Sequence, residues 1–102
     1  MHGFDETRPI YIQIKERIEE QIVSGQLQEA EQIPSPTQLV QFYKMNHLTI
    51  SRGINLLVED GIIYKRRGVG MFVAKGAKEI LLQRRKEQFV SQYIDPLLRE
   101  AK

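Results

Sequence analysis

Isoleucine recurs at every fourth position, at Ile10, Ile14, Ile18 and Ile22, with Tyr11 beside the first. Lys15, Glu16, Glu19 and Glu20 fill the opposite side. That spacing predicts an amphipathic helix of about four turns. Pro9 suits its first turn, where a missing N–H is harmless. Gly25, after Ser24, suits the left-handed cap at its end. Residues 1–8 are polar and lack a period, which predicts a mobile arm. Leu27 and Ile33 are expected to anchor the connector at 26–33 in the core.

Ser35-Pro36-Thr37-Gln38 is a strong helix start. Ser35 can cap, Pro36 fits the first helical position, and Gln38 can reach back to close a capping box. Leu39, Val40, Phe42 and Tyr43 are expected to form the buried side of this short helix. Lys44-Met45-Asn46 make a turn, with Asn46 the N-cap of the next helix. That helix should run from His47 to Glu59, with Ile50, Ile54, Leu57 and Val58 facing inward. Gly61 stops it and Ile62-Ile63-Tyr64 begins a strand. Gly68 and Gly70 punctuate a hairpin that returns through Met71-Phe72-Val73.

Helical patterning resumes after Lys75-Gly76-Ala77. Ile80, Leu81, Phe89, Val90, Tyr93 and Ile94 lie on a broad apolar side, interrupted by the belt Arg84-Arg85-Lys86-Glu87. Pro96 forces a break, and Leu97-Leu98 begin a last short helix. The predicted fold is mainly α with a small β-hairpin. Residues 1–75 form a winged helix-turn-helix, and residues 76–102 form a short helical extension. The extension reads as a dimerisation region built on Ile80, Leu81, Phe89, Val90, Tyr93, Ile94 and Leu97.

A chain of 102 residues implies one domain with at most a short appendage, and pairing would add stability at this size. Cysteine is absent, which excludes disulfides, zinc–thiolate sites and cysteine nucleophiles and fits the cytoplasm. The N-terminus is acidic and polar, unlike a signal peptide, and no apolar run is long enough to span a membrane. Net charge is only +2 but unevenly placed. Residues 1–60 hold five basic and nine acidic side chains, net −4; residues 61–102 hold ten and four, net +6. A polyanion partner fits that asymmetry.

Helix-turn-helix recognition needs polar side chains on the first half of the second helix and phosphate donors around it. His47, Thr49, Ser51 and Arg52 have those types at those places. Thr49 can touch a thymine methyl, and Arg52 can clamp a guanine or a phosphate. Asn46, Ser35 and Thr37 sit at helix starts, where unpaired backbone N–H groups favour an anion. In the wing, Lys65, Arg66 and Arg67 alternate across the strand, so only some can face DNA. Gly68 and Gly70 allow the tip to approach a sugar–phosphate backbone. His2 and His47 lack partners at metal spacing, and no P-loop, nucleophile elbow or dinucleotide fingerprint occurs. No catalytic residue, metal or cofactor is expected.

These residues resemble the GntR family of bacterial transcriptional regulators across roughly residues 9–74. The resemblance rests on Pro9-Ile10-Tyr11-x-Gln13-Ile14, Ser24-Gly25-Gln26-Leu27 and Ile33-Pro34-Ser35. It continues through Thr49-Ile50-x-Arg52, Leu56-Leu57-x-x-x-Gly61 and Gly68-x-Gly70-x-Phe72-Val73. The opening Pro-Ile-Tyr and the short region after Val73 resemble the YtrA-type subfamily, in which about two helices replace a large effector domain and form a dimer. The chain departs from the family at several places. Glu29-Ala30 stand where Pro-Gly is usual, and Thr37 where an arginine is frequent. His47 and Ser51 stand where relatives carry arginines, which implies softer, less guanine-directed base contacts. Gly53 replaces a usual alanine, a change that weakens a helix by up to about 1 kcal/mol.

The expectation is a homodimeric, sequence-specific DNA-binding regulator, most simply a repressor, on a palindromic operator in double-stranded DNA. The rival reading is a winged-helix module for protein–protein contacts or non-specific DNA organisation. Any small-molecule effector, unidentified by the sequence, would have to bind between the C-terminal helices and the wing.

Overall fold

The computed structural model describes residues 4–89. In chain order they form α1 (Ile10–Val23), α2 (Pro36–Tyr43), α3 (His47–Glu59), β1 (Ile63–Arg66), β2 (Gly70–Val73) and α4 (Ala77–Phe89). The apolar residues of α1 at four-residue spacing are spent in one core, where Ile14, Ile18 and Ile22 meet Ile50, Ile54 and Leu57 of α3. Leu39 and Tyr43 of α2 and Ile33, Ile62, Ile63 and Val73 close that core. Ala77 and Leu81 bring α4 into the same cluster.

The helix ends follow their local signals. Ser35 Oγ accepts the Gln38 amide at 3.1 Å, while Gln38 Oε1 accepts the Ser35 amide at 2.8 Å, closing the capping box. Asn46 Oδ1 accepts the Thr49 amide at 2.9 Å at the head of α3. Lys44, at φ 58°, ends α2 in a left-handed conformation and turns the chain into α3. Pro9 sits one position outside the first turn of α1, as its N-cap.

The hairpin is antiparallel, with Ile63 opposite Val73 and Arg66 opposite Gly70. The connector supplies a third, short pairing partner. Ala30 and Ile33 donate their amides to the Val73 and Met71 carbonyls, each at 2.9 Å, and Val73 donates back to Glu31. The wing is therefore braced on one edge by residues before α2.

Four expectations change. The segment 4–8 is no free arm: Phe4 is buried against Tyr43, with ring centroids 5.5 Å apart. Its anchor is Gln13, a buried amide whose side chain accepts the Asp5 amide and donates to the Asp5 and Arg8 carbonyls. Hydrogen bonds from the Thr7 hydroxyl and amide hold the Asp5 carboxyl below its ordinary pKa. Phe42 and Val58 are exposed, since the inward stripes run through Leu39 and Tyr43 on α2 and through Ile50, Gly53, Ile54 and Leu57 on α3. Leu81, read from sequence as a pairing residue, is buried within the chain's own core.

Gly53 belongs to the packing. A Cβ there would lie 2.8 Å from the Tyr11 carbonyl oxygen, so the bare glycine lets α3 approach the backbone of α1. α4 is fastened by ion pairs as well as by Leu81. Arg84 reaches Asp60 at the end of α3 at 3.1 Å, and Arg85 reaches Glu20 of α1 at 2.6 Å.

Candidate nucleic-acid interface

The core stripe of α3 fixes what its other side presents. Since Ile50, Gly53, Ile54 and Leu57 face inward, the outward line at helical spacing is Leu48, Ser51, Arg52 and Asn55. Leu48, Arg52 and Asn55 are exposed and Ser51 is half-buried. His47 is exposed at the first helical position, and its Nδ1 lies 3.3 Å from Ser51 Oγ. Thr49 is half-buried, and its amide is occupied by the Asn46 cap. The Arg52 guanidinium carbon lies over the Tyr11 ring, 4.2 Å from its centroid. A cation–π contact of this kind restricts the rotamers open to the side chain.

The start of α2 and the wing converge on a shallow cleft lined by Gln32, Ile33, Ser35, Pro36, Lys65, Val69, Gly70 and Met71. Ser35, Lys65 and Gly70, drawn from separate parts of the sequence, therefore share one surface. Thr37 is exposed in the first turn of α2. On the hairpin, Tyr64 and Phe72 stack at 5.7 Å and Arg66 lies over Phe72 at 5.5 Å. Pleating sends Lys65 to the face opposite Arg66. Arg67, Gly68 and Val69 form the tip, all exposed. Gln32 Nε2 donates to the Val69 carbonyl at 3.0 Å and holds the tip from the connector side.

The two basic clusters differ. None of the ion pairs among the described residues involves Lys65, Arg66 or Arg67, whereas Arg84 and Arg85 are paired with Asp60 and Glu20. The wing thus offers unneutralised cations next to α3, and the α4 belt is largely tied to its own chain. Leu48, Tyr11, Gln32 and Val69 join the candidate surface only in the fold. Leu48 and Val69 are exposed apolar groups flanked by predicted contact residues, and that pattern was visible. The roles of Tyr11 and Gln32 depend on contacts between distant segments. Among the predicted pairing residues, Ile80 and Phe89 are exposed on α4; Val90, Tyr93, Ile94 and Leu97 lie outside the described residues.

Two helices joined by a tight turn, followed by a braced basic hairpin, define a winged helix-turn-helix. The family model described as bacterial regulatory proteins, gntR family, matches residues 10–73. The chain belongs to that family, whose members are regulators of transcription rather than enzymes. It is 35% identical over 75 residues to the HTH-type transcriptional repressor NagR of Bacillus subtilis, covering 74% of this chain and 31% of that protein. The chain therefore spans about a third of that relative's length. A GntR family transcriptional regulator from Listeria monocytogenes superposes with a TM-score of 0.83 at 30% identity, covering 96% of this chain and 88% of the other. AraR(DBD) in complex with operator ORX1 superposes at 0.65 with 33% identity, over 72% of this chain and 90% of that one. Among the described residues, no helix is long and apolar enough to cross a membrane, and no group of His, Cys, Asp or Glu could hold a metal ion.

Proposed function

We propose that this chain is a sequence-specific transcriptional repressor of the YtrA type that binds an inverted-repeat operator as a homodimer in the bacterial cytoplasm. The observation that carries the reading is the outward line of α3. Ser51, Arg52 and Asn55 stand opposite the core stripe, beside unneutralised cations on the wing. A helix so placed enters a major groove, with Lys65 and the tip at Arg67, Gly68 and Val69 against the adjoining backbone or minor groove. The likeness to AraR(DBD), solved on operator DNA, supports the same docking. Ser35, Thr37 and Asn46 orient phosphates at the heads of α2 and α3.

The dimer follows from the apolar side chains that α4 leaves outside its own core. Ile80, Leu82 and Phe89 are exposed there, and the sequence continues with Val90, Tyr93, Ile94 and Leu97. Residues 76–102 act as the pairing region in this reading. Two-fold pairing places half-sites about one helical turn apart, roughly 34 Å, and occupancy of promoter DNA represses by occlusion.

The test is selection of duplexes from a random pool by the full chain, followed by titration of Arg52→Ala. The variant should lose about 1–3 kcal/mol of affinity for the selected duplex and little for a scrambled one. Equal losses on both duplexes would reduce Arg52 to a phosphate contact and favour non-specific binding.

A further inference from the structure

Leu48 is the most exposed large apolar side chain among the described residues, at 70%, ahead of Phe42 at 63%. It does not serve the core, because the buried stripe of α3 lies on the other side of the helix. It precedes Arg52 by four residues and so shares its face. That side of α3 also carries Ser51, whose hydroxyl lies 3.3 Å from His47 Nδ1, and Arg52 over the Tyr11 ring. A leucine there can neither donate nor accept a hydrogen bond, and leaving it in water gains nothing. In a major groove the apolar feature that meets such a group is the 5-methyl of thymine.

We propose that Leu48 is a specificity-determining residue that packs on a thymine methyl in the major groove, beside the base contacted by Arg52. The inference rests on the DNA-binding reading above. It assigns the thymine contact not to Thr49, which is half-buried, but to the neighbouring side chain that stands clear of the core. Leu48 and Arg52 are about 6 Å apart along the helix, so the thymine lies within about two base pairs of the base that Arg52 contacts.

Deoxyuridine tests this directly, because it removes the methyl and leaves every hydrogen-bonding group in place. Each thymine of the selected duplex is replaced in turn, and the full chain is titrated against each. At one thymine per half-site the replacement should weaken binding about three- to fivefold, the worth of one buried methyl. Leu48→Ala should weaken binding to the thymidine duplex by at least as much and lose its sensitivity to deoxyuridine at that position. Its affinity for scrambled DNA and its unfolding midpoint should stay unchanged, since the side chain is outside the core.

The inference is overturned if no thymine shows a methyl effect, or if Leu48→Ala keeps the full deoxyuridine penalty. It is likewise overturned if Thr49→Ser, and not Leu48→Ala, removes that penalty. Equal weakening on selected and scrambled duplexes would leave Leu48 without a role in sequence choice. A pool that enriches no sequence would remove the DNA-reading function itself, a separate failure seen before any deoxyuridine is used.

Discussion

The Arg52 guanidinium lies over the Tyr11 ring at 4.2 Å, so the first helix steadies the arginine that α3 presents outward. A cation–π contact is worth about 0.5–1 kcal/mol at an exposed site. Tyr11→Leu should weaken binding to the selected duplex about two- to fivefold and leave scrambled DNA unaffected. Tyr11→Phe should retain most of the affinity, since the ring face is kept. A Tyr11→Leu variant with unchanged discrimination in paired titrations would show that Arg52 needs no such support.

Gly53 lies where α3 meets the α1 backbone, and a methyl there would come 2.8 Å from the Tyr11 carbonyl oxygen. Helix propensity alone favours alanine by about 1 kcal/mol, but overpacking against backbone costs about 1–3 kcal/mol. The second effect wins because a backbone carbonyl cannot swing aside. Gly53→Ala should therefore lower the unfolding free energy by about 1 kcal/mol in urea denaturation. A gain in stability would mean that the two helices separate at little cost.

Ala30 has φ 67° while its amide is bonded to the Val73 carbonyl at 2.9 Å. A side chain in the left-handed region costs about 1–2 kcal/mol, and glycine removes that cost at some loss of unfolded-state restraint. Ala30→Gly should raise stability by about 0.5–1 kcal/mol. An unchanged or lowered denaturation midpoint would show that the connector accommodates the alanine without strain.

The contrast between free and paired cations gives a salt prediction. Lys65→Ala should reduce the slope of log affinity against log salt by about one phosphate contact and weaken all sequences alike. Arg85, paired with Glu20 at 2.6 Å, should leave the slope unchanged when replaced by alanine. An Arg85→Ala slope change equal to that of Lys65→Ala would place α4 on the DNA as well.

What the sequence disclosed divides by the range of the interaction. The caps at Ser35 and Asn46 were legible because a side chain there bonds a backbone group three residues away. The hairpin was legible from Gly68 and Gly70 and the apolar runs beside them. Phe42 and Val58 were misplaced because a helix's apolar arc is wider than the surface its neighbours cover, and only packing selects within it. The anchoring of Phe4 depended on Gln13, a polar residue in an inward position that no apolar period reveals. The close approach at Gly53 and the Gln32 brace on Val69 join segments far apart in the chain. The candidate interface divides in the same way: the types and helical positions of Ser51 and Arg52 are readable in the sequence, but the contact of Tyr11 with Arg52 is not.

The most direct test of the account is a fluorescence-anisotropy titration of the full chain on a selected inverted-repeat duplex and on a scrambled duplex of equal length, at two salt concentrations. A sequence-specific repressor should prefer the selected duplex by about 10³ or more, and the preference should persist at the higher salt. Equal binding to both duplexes, falling steeply with salt, would contradict it and leave only a basic surface.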